Sequence, residues 1–483
     1  MSSSAKRILS GLIALMTVLP LFSCGEQASV NQPSSTTGSG GATEPEAETA
    51  PPSAIENLGE NDFGGRKYTI YESNDMDIQV NCPEAELNGE IVNDGLINRD
   101  TFVEDKFNIE IAYAQENSLD KVKSSVMAGE DNYQFIIADL IGSLSSMATA
   151  GQLMNLLSTP YLTMDAEWWS PLFAESFALN GAMYVNGGDI APGVYQSPSC
   201  MYCNLKLLED YNVDADIYQL VLDKKWTLDE LARITGDMYQ DLNGNAKTDL
   251  DDFYGVATQP TSETAVSYLT GAGVKLSEIN ADGAMVCSAI YDPKAVSVVD
   301  KLKQFCLKIP YKDINDVINQ TFKYDRALFL QHKLEDAAVH LRDMESDYLI
   351  LPNPLFDESQ DHYISTVSGY CRAFDAIPVN TDPEFAGFIT EALAIYSHET
   401  LRPQAFEIVY KDKLARDQRS ADVLDVLLDN LYVDFGVIFN FSSIGDTFSN
   451  AIFGKKEIAS SLAKIEPKVQ TQIDKLVETW GVE

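Results

Sequence analysis

From Arg66 onward, short strand-like runs alternate with stretches of helical period, and that alternation confines the chain to an α/β architecture. Lys67-Tyr68-Thr69-Ile70-Tyr71 reads as a first strand, with Glu72-Ser73-Asn74-Asp75 as the polar turn behind it. Residues 90–107 place Ile91, Leu96, Ile97, Phe102 and Phe107 near helical spacing, which predicts a helix. Phe107-Asn108-Ile109-Glu110-Ile111 alternates as a strand. The continuous apolar run Phe135-Ile136-Ile137-Ala138 reads as a buried strand closed by Asp139. Residues 142–157 are predicted helical again. The pattern implies parallel strands with covering helices, and such sheets bind ligands beyond the carboxyl ends of their strands. Two later helix starts are marked by local chemistry. Thr227 precedes Leu228 with Glu230 three residues on, a capping box. Asn380-Thr381-Asp382-Pro383-Glu384 puts proline in a first turn, and Phe385, Phe388, Leu393 and Ile395 continue an apolar face.

The N-terminus predicts export. Lys6 and Arg7 precede a mostly apolar run over residues 8–22, too short to span a bilayer and typical of a secretory signal. Leu21-Phe22-Ser23-Cys24 resembles a bacterial lipobox, so Cys24 is expected to carry a lipid once residues 1–23 are removed. Residues 24–62 are then a Ser-, Thr-, Gly-, Pro- and Glu-rich tether with almost nothing to bury. Its root-mean-square reach is about 35 Å. The expected location is the outer face of the cell membrane, held there by the lipid alone.

Charge narrows the function classes. With 34 Lys+Arg against 73 Asp+Glu, the 483-residue chain has a net charge of −39 and no basic cluster for nucleic acid or anionic lipid. Its 22 Tyr and 21 Phe exclude disorder throughout, and a mean hydropathy of −0.13 excludes a polytopic membrane protein. Besides Cys24, the cysteines are Cys82, Cys200, Cys203, Cys287, Cys306 and Cys371. An exported chain can pair six, but one this long does not need staples, and the sequence leaves pairing open. Cys200-Met201-Tyr202-Cys203 is a lone C-x-x-C, and His332, His340, His362 and His398 fall at no zinc-ligand spacing.

One loop carries metal-binding chemistry. Asp241, Asn243, Asn245, Asp249 and Asp252 stand at positions 1, 3, 5, 9 and 12 of a calcium-type loop, with the Lys247 carbonyl at position 7. Ala246 replaces the glycine favoured at position 6, and Asp252 replaces the longer Glu at position 12. A structural Ca2+ is one expectation, and a solvated Asx-rich turn the other.

Several segments together resemble extracellular solute-binding lipoproteins of ABC importers, in the sugar-type, maltose-binding-protein-like branch. They are Trp226 through the Asp/Asn loop to Tyr254-Gly255, Met201-Tyr202-Cys203-Asn204 with Leu207-Leu208, and Tyr348-Leu349-Ile350-Leu351-Pro352. Asp375-Ala376-Ile377-Pro378 with Asp382-Pro383-Glu384-Phe385-Ala386 is another. Arg416-Asp417 with Ser420, Leu424, Asp425 and Asp434-Phe435-Gly436 completes the series. The resemblance implies a type II periplasmic-binding-protein-like fold of two lobes. Each would be a mainly parallel sheet flanked by helices, joined to the other by a hinge. By segment order, lobe 1 would take 66–197 and 328–405, and lobe 2 would take 198–327 and 406–483. It also implies a monomer that closes on a small ligand and docks on the permease subunits.

A sugar pocket needs aromatic platforms and hydroxyl partners. The expected residues are Trp168 and Trp169 as platforms, Glu72, Asn74 and Asp139 at strand ends, Tyr195 and Gln196 near a hinge crossing, and Arg372 and Asp375 on the returning segment. Packing inside lobe 1 is the other reading of the two tryptophans, and Trp226 is assigned to packing at a helix start. No G-x-S-x-G elbow or H-E-x-x-H occurs, so an enzyme is not expected. A peptide- or amino-acid-binding lipoprotein, or a receptor feeding a sensor, remain the alternatives.

Overall fold

In the computed structural model, the residues described are 54–73, 81–170, 173, 176–179, 181–236, 238–280, 284–306, 309, 317–318, 320–404 and 418–480. The expected signal, Cys24, Asn74, Arg416 and Asp417 lie outside them. Among the described residues, twelve strands follow in chain order: β1 (Arg66–Ser73), β2 (Ile109–Glu116), β3 (Phe135–Ala138), β4 (Ser199–Asn204), β5 (Tyr254–Thr258), β6 (Glu278–Ile279), β7 (Met285–Val286), β8 (Ala327–Lys333), β9 (Tyr348–Leu351), β10 (Ser365–Thr366), β11 (Phe374–Ala376) and β12 (Leu431–Tyr432). None of the described helices is long and apolar enough to cross a membrane.

The first lobe is built on the sheet β11-β3-β1-β2. β1 runs parallel to β2 and β3, and β11 joins β3 antiparallel. All four residues of β3 are buried, as its continuous apolar run requires. The helix Ile91–Phe107 is where the periodicity places it, and packs on the helix Pro383–Tyr396. Asp382 caps the latter with Pro383 in its first turn, and every residue from Phe385 to Ile395 is buried. The Tyr68 hydroxyl shares a 2.6 Å hydrogen bond with Thr390, fixing sheet to helix.

Two expectations about this lobe are corrected. The predicted helix over 142–157 is reduced to Ser145–Thr149, because Gly142 (φ +88°) and Gly151 (φ +68°) take left-handed backbone on either side. The tether does not reach residue 62. Ala54–Asn57 forms a helical turn whose Ile55 is only 4% exposed, and the Ala54 amide donates to Glu399 at 2.7 Å.

The second lobe is built on the sheet β5-β8-β4-β9. Here pairing is mixed rather than mainly parallel. β4, the strand by which the chain enters, runs antiparallel to β8 and β9, and only β5 and β8 are parallel. The lobe boundary expected at 328 falls inside β8, which hydrogen-bonds to β4 and β5, so residues 327–351 belong to the second lobe. The chain returns only after β10, which pairs with β12, and reaches the first sheet at β11. Trp226 packs as expected. It is fully buried, its indole N–H donates to the Pro352 carbonyl at 3.1 Å, and its ring lies 5.4 Å from Phe329. The Thr227 hydroxyl accepts from the Glu230 amide at 3.2 Å and starts the helix Leu228–Thr235.

Cys82, Cys200, Cys203, Cys287, Cys306 and Cys371 are free thiols, and all but Cys82 are buried. Burial pushes the Cys371 and Cys287 thiols up to about 12, and Cys200 and Cys203, inside β4, also well above their ordinary value. These are packing residues without the depressed pKa of a reactive thiol.

Candidate functional site: the interlobe cleft

The cleft lies where the segments after β3 and β5 meet the segment crossing between the lobes. Beyond β3, the amides of Leu140 and Ile141 both donate to the Gly369 carbonyl at 3.0 Å. A Cβ on Gly369 would stand 2.7 Å from Ile141 Cδ1 and 3.3 Å from Val437 Cγ1. Glycine is therefore needed where the crossing segment passes between a first-lobe and a second-lobe side chain. Ser368 N donates to the Ser197 carbonyl at 3.2 Å, tying this crossing to the one that enters β4.

Beyond β5, Thr261 caps the helix Ser262–Gly271 and delivers Glu263 to the cleft in its first turn. Gly436, Val437 and Ile444 close the wall from the C-terminal part of the second lobe. The space closed off there is about 30 Å³. Tyr370 presents its ring there and is 44% exposed. Partial burial raises its hydroxyl pKa, and the carboxylates Glu263, Asp446 and Asp139 raise it further against the opposing charge of Lys333.

A second, polar space of about 10 Å³ adjoins the first on the hinge side and shares Glu263, Ser267, Thr366 and Ser368 with it. Gln331 accepts from Thr258 Oγ1 at 3.1 Å and donates to Ser199 Oγ at 2.7 Å. The Lys333 ammonium lies 3.6 Å from Glu263 and 3.7 Å from Glu335. Burial disfavours its charge, but Glu263, Glu335 and Asp336 overcome that and hold it protonated, above the usual lysine range. His332 is hydrogen-bonded to Asp336. Both basic side chains of this half thus stand against carboxylates.

The structure brings few of the expected ligand residues to this cleft. Trp169 is a correction: it is 2% exposed and its indole N–H donates to Glu391 at 2.9 Å inside the first lobe. Trp168, half-buried, packs with it and faces His398, ring centres 6.5 Å apart. Asp375 is also corrected. It is 1% exposed inside the first lobe, with neither carboxylate oxygen hydrogen-bonded. Glu72 is buried at the end of β1 and accepts from Gln115 at 2.8 Å; burial raises its pKa. Arg372 is 6% exposed, near Tyr71 and Glu72, and its carbonyl accepts from Asn81 at 2.7 Å. The Tyr195 hydroxyl donates to Asp189, which His398 also contacts at 2.6 Å. Gln196 borders the hinge-side half through Ser197, its carbonyl accepting from the Glu335 amide at 2.8 Å. Asp139, accepting from Ser143 at 2.6 Å, stands two residues before Ile141 and is the expected residue nearest Tyr370 in charge effect. Tyr370, Glu263 and Lys333 line the cleft without having been expected from the sequence. The sequence signal for Glu263 is the capping Thr261 just after a strand.

Asp375 gives a pH prediction. Burial pushes its carboxyl well above the ordinary value, so the folded chain holds this proton where the unfolded chain has released it. Its contribution is complete below about pH 4 and is lost as pH rises from there through the native pKa. Asp375→Asn is expected to remove that slope. In thermal melts from pH 4 to 8, the wild-type midpoint should fall relative to the variant, and parallel curves would refute the assignment.

The 241–252 loop curls through Asx turns. Asp241 accepts from the Gly244 and Ala246 amides at 2.7 Å, and Ala246 takes φ +57°, the left-handed conformation that glycine supplies more easily. The side-chain amides of Asn243 and Asn245 donate to Asp249 at 3.2 and 2.5 Å. Asp252 is fully buried, with Oδ1 lacking a partner while Oδ2 accepts from the Asp249 amide at 2.9 Å. Among the described residues no three acidic, thiol or imidazole side chains converge as metal ligands. The curl and the orphaned oxygen suit a cation, whereas the ligand set is not assembled.

No protein-family model matches the chain, and no curated protein does. Solved structures do match. The galacto-N-biose/lacto-N-biose I-binding protein of the ABC transporter from Bifidobacterium longum, in complex with lacto-N-biose, superposes with a TM-score of 0.57 at 14% identity, over 87% of this chain and 99% of that one. An ABC substrate-binding protein from Listeria monocytogenes in complex with cycloalternan gives 0.52 at 13% identity, over 85% and 99%. The maltose-bound MalE3 of T. maritima gives 0.51 at 14% identity, over 84% and 100%. The chain has the two-lobed, periplasmic-binding-protein-like fold of these structures.

Proposed function

We propose that this protein is a sugar-binding component of an ABC importer, anchored outside the cell through a lipid on Cys24, and that it is not an enzyme. The observation that carries the reading is the cleft between two lobes, with Tyr370 on its wall and a hydroxyl- and amide-lined floor, in a fold shared with sugar-binding transporter proteins. Each lobe supplies part of the contacts, so a ligand that meets both halves at once favours the closed state by its differential affinity. The closed form would then engage the permease. With Lys333 and His332 set against carboxylates and Glu263 on the wall, the cleft suits an uncharged ligand better than an anionic one.

A thermal-shift screen of the chain lacking residues 1–24 tests this. A saccharide at a hundred times its Kd should stabilise by about 2.7 kcal/mol, a shift of several degrees. Silence across saccharides with a response to peptides or amino acids would replace the sugar reading. We further propose that the 241–252 loop takes a structural Ca2+ through the Asp241, Asn243, Asn245, Asp249 and Asp252 side chains and the Lys247 carbonyl. Chelator should then lower the midpoint and added calcium restore it, with no response in Asp252→Ala. A midpoint indifferent to both additions would remove the ion.

A further inference from the structure

Asn440 lines the cleft between two fixed points of the second lobe. On one side, Val437 stands against the crossing, 3.3 Å from where a Cβ on Gly369 would lie. On the other, Gly445 is seated on the helix Ser262–Gly271, where a Cβ would come within 3.0 Å of Ser262 Cβ. The chain between them takes left-handed backbone three times, at Asn440 (φ +39°), Ser442 (φ +50°) and Ser443 (φ +56°). Asparagine tolerates that conformation, and serine does so less readily. Such backbone persists only where its surroundings hold it. Gln472, on the helix Ile458–Thr479, does the holding. Its side-chain oxygen accepts from the Ser442 amide at 2.6 Å and from the Ser442 hydroxyl at 2.9 Å.

The turn closes without help from the Asn440 side chain. The Asn440 backbone N–H donates to the Val437 carbonyl at 3.3 Å, and its carbonyl accepts from the Ser443 amide at 2.9 Å. Among the described residues its side-chain amide has no hydrogen-bond partner. That group keeps two donors and an acceptor, which suit a sugar hydroxyl in either role. The closed space beside it, about 30 Å³, has room for about two waters, so a saccharide meets this wall as the lobes part and close again on it.

Resting on the sugar reading above, we propose that Asn440 is a ligand-contacting residue whose side-chain amide bonds a sugar hydroxyl, and that Gln472 is the positioning residue that holds its turn.

Calorimetric titration of the full protein with glucose, galactose, maltose and lactose tests this. The proteins compared are wild type, Asn440→Gly, Gln472→Ala, Gln472→Glu and the Asn440→Gly, Gln472→Ala double variant. Glycine takes positive φ freely, so Asn440→Gly removes the side-chain amide and leaves the turn, and the ligand-free melting midpoint should not fall. For the sugar that wild type binds best, Asn440→Gly should weaken binding about tenfold. Gln472→Ala should weaken it about threefold, and Gln472→Glu, which keeps both acceptor contacts, should restore it. In the Asn440→Gly background, Gln472→Ala should cost no further affinity, because it acts through the missing side chain. Undiminished affinity in Asn440→Gly, or additive losses in the double variant, overturns the inference and leaves the sugar reading intact. Binding of none of the four sugars overturns both.

Discussion

Asp434→Ala is expected to cost about 4 kcal/mol of stability and to weaken ligand binding as well. The carboxylate is fully buried and accepts from the amides of Leu276 (2.7 Å), Ser277 (3.1 Å) and Gly436 (2.7 Å). The hydroxyls of Ser277 and Tyr432 add two bonds at 2.9 Å. Removing it strands several buried donors together, each worth about 1–3 kcal/mol when left unmade. The positions it joins include Leu276 and Gly436 on the cleft wall, so the wall should loosen along with the fold. Asp434→Asn keeps one carbonyl acceptor and should lose about half as much. Urea unfolding of the three proteins checks the ranking, and a loss below about 1 kcal/mol for the alanine variant would contradict it.

Trp480 has the second large effect. At the end of the helix Ile458–Thr479, it rests on Phe435 and Phe439 of the second lobe with ring centres 5.6 and 5.8 Å away. On its other side it meets Tyr184 of the first lobe at 4.7 Å, and its indole N–H donates to the Ala148 carbonyl at 3.3 Å. The side chain therefore bridges the lobes, and it is 7% exposed. Trp480→Ala should cost about 3 kcal/mol and shift the ligand-free protein toward an opened state. Trp480→Phe, which keeps a ring but loses the N–H, should lie between. Small-angle scattering should show a larger radius of gyration for the alanine variant. An unchanged radius with unchanged stability would mean that the contact holds nothing closed.

Local features of the fold were legible because neighbouring residues decide them. Thr227 with Glu230, Asp382 with Pro383, and the apolar run 135–138 each act within a few positions, and all three stand where the sequence put them. The helix predicted over 142–157 failed on two glycines whose left-handed backbone periodicity does not register. Sheet membership of 327–351 depends on pairing with β4 far earlier in the chain, for which no local signal exists. The site was harder still. An aromatic pair reads alike whether it faces a cleft or a core, and Trp169 is held inward by Glu391, a partner 222 positions away. Tyr370 stands in a crossing segment without periodicity, so only the meeting of the two lobes brings it to the cleft wall.

Capture of a saccharide in this cleft is tested by titrating wild-type and Tyr370→Ala proteins with whichever saccharide stabilises the wild type. Tyr370 sits on the cleft wall and does not build the core of either lobe, so fold and affinity should separate. Binding should be at least about tenfold weaker in the variant, with a nearly unchanged melting midpoint of the ligand-free protein. Undiminished affinity in the variant would place the ligand elsewhere than this cleft.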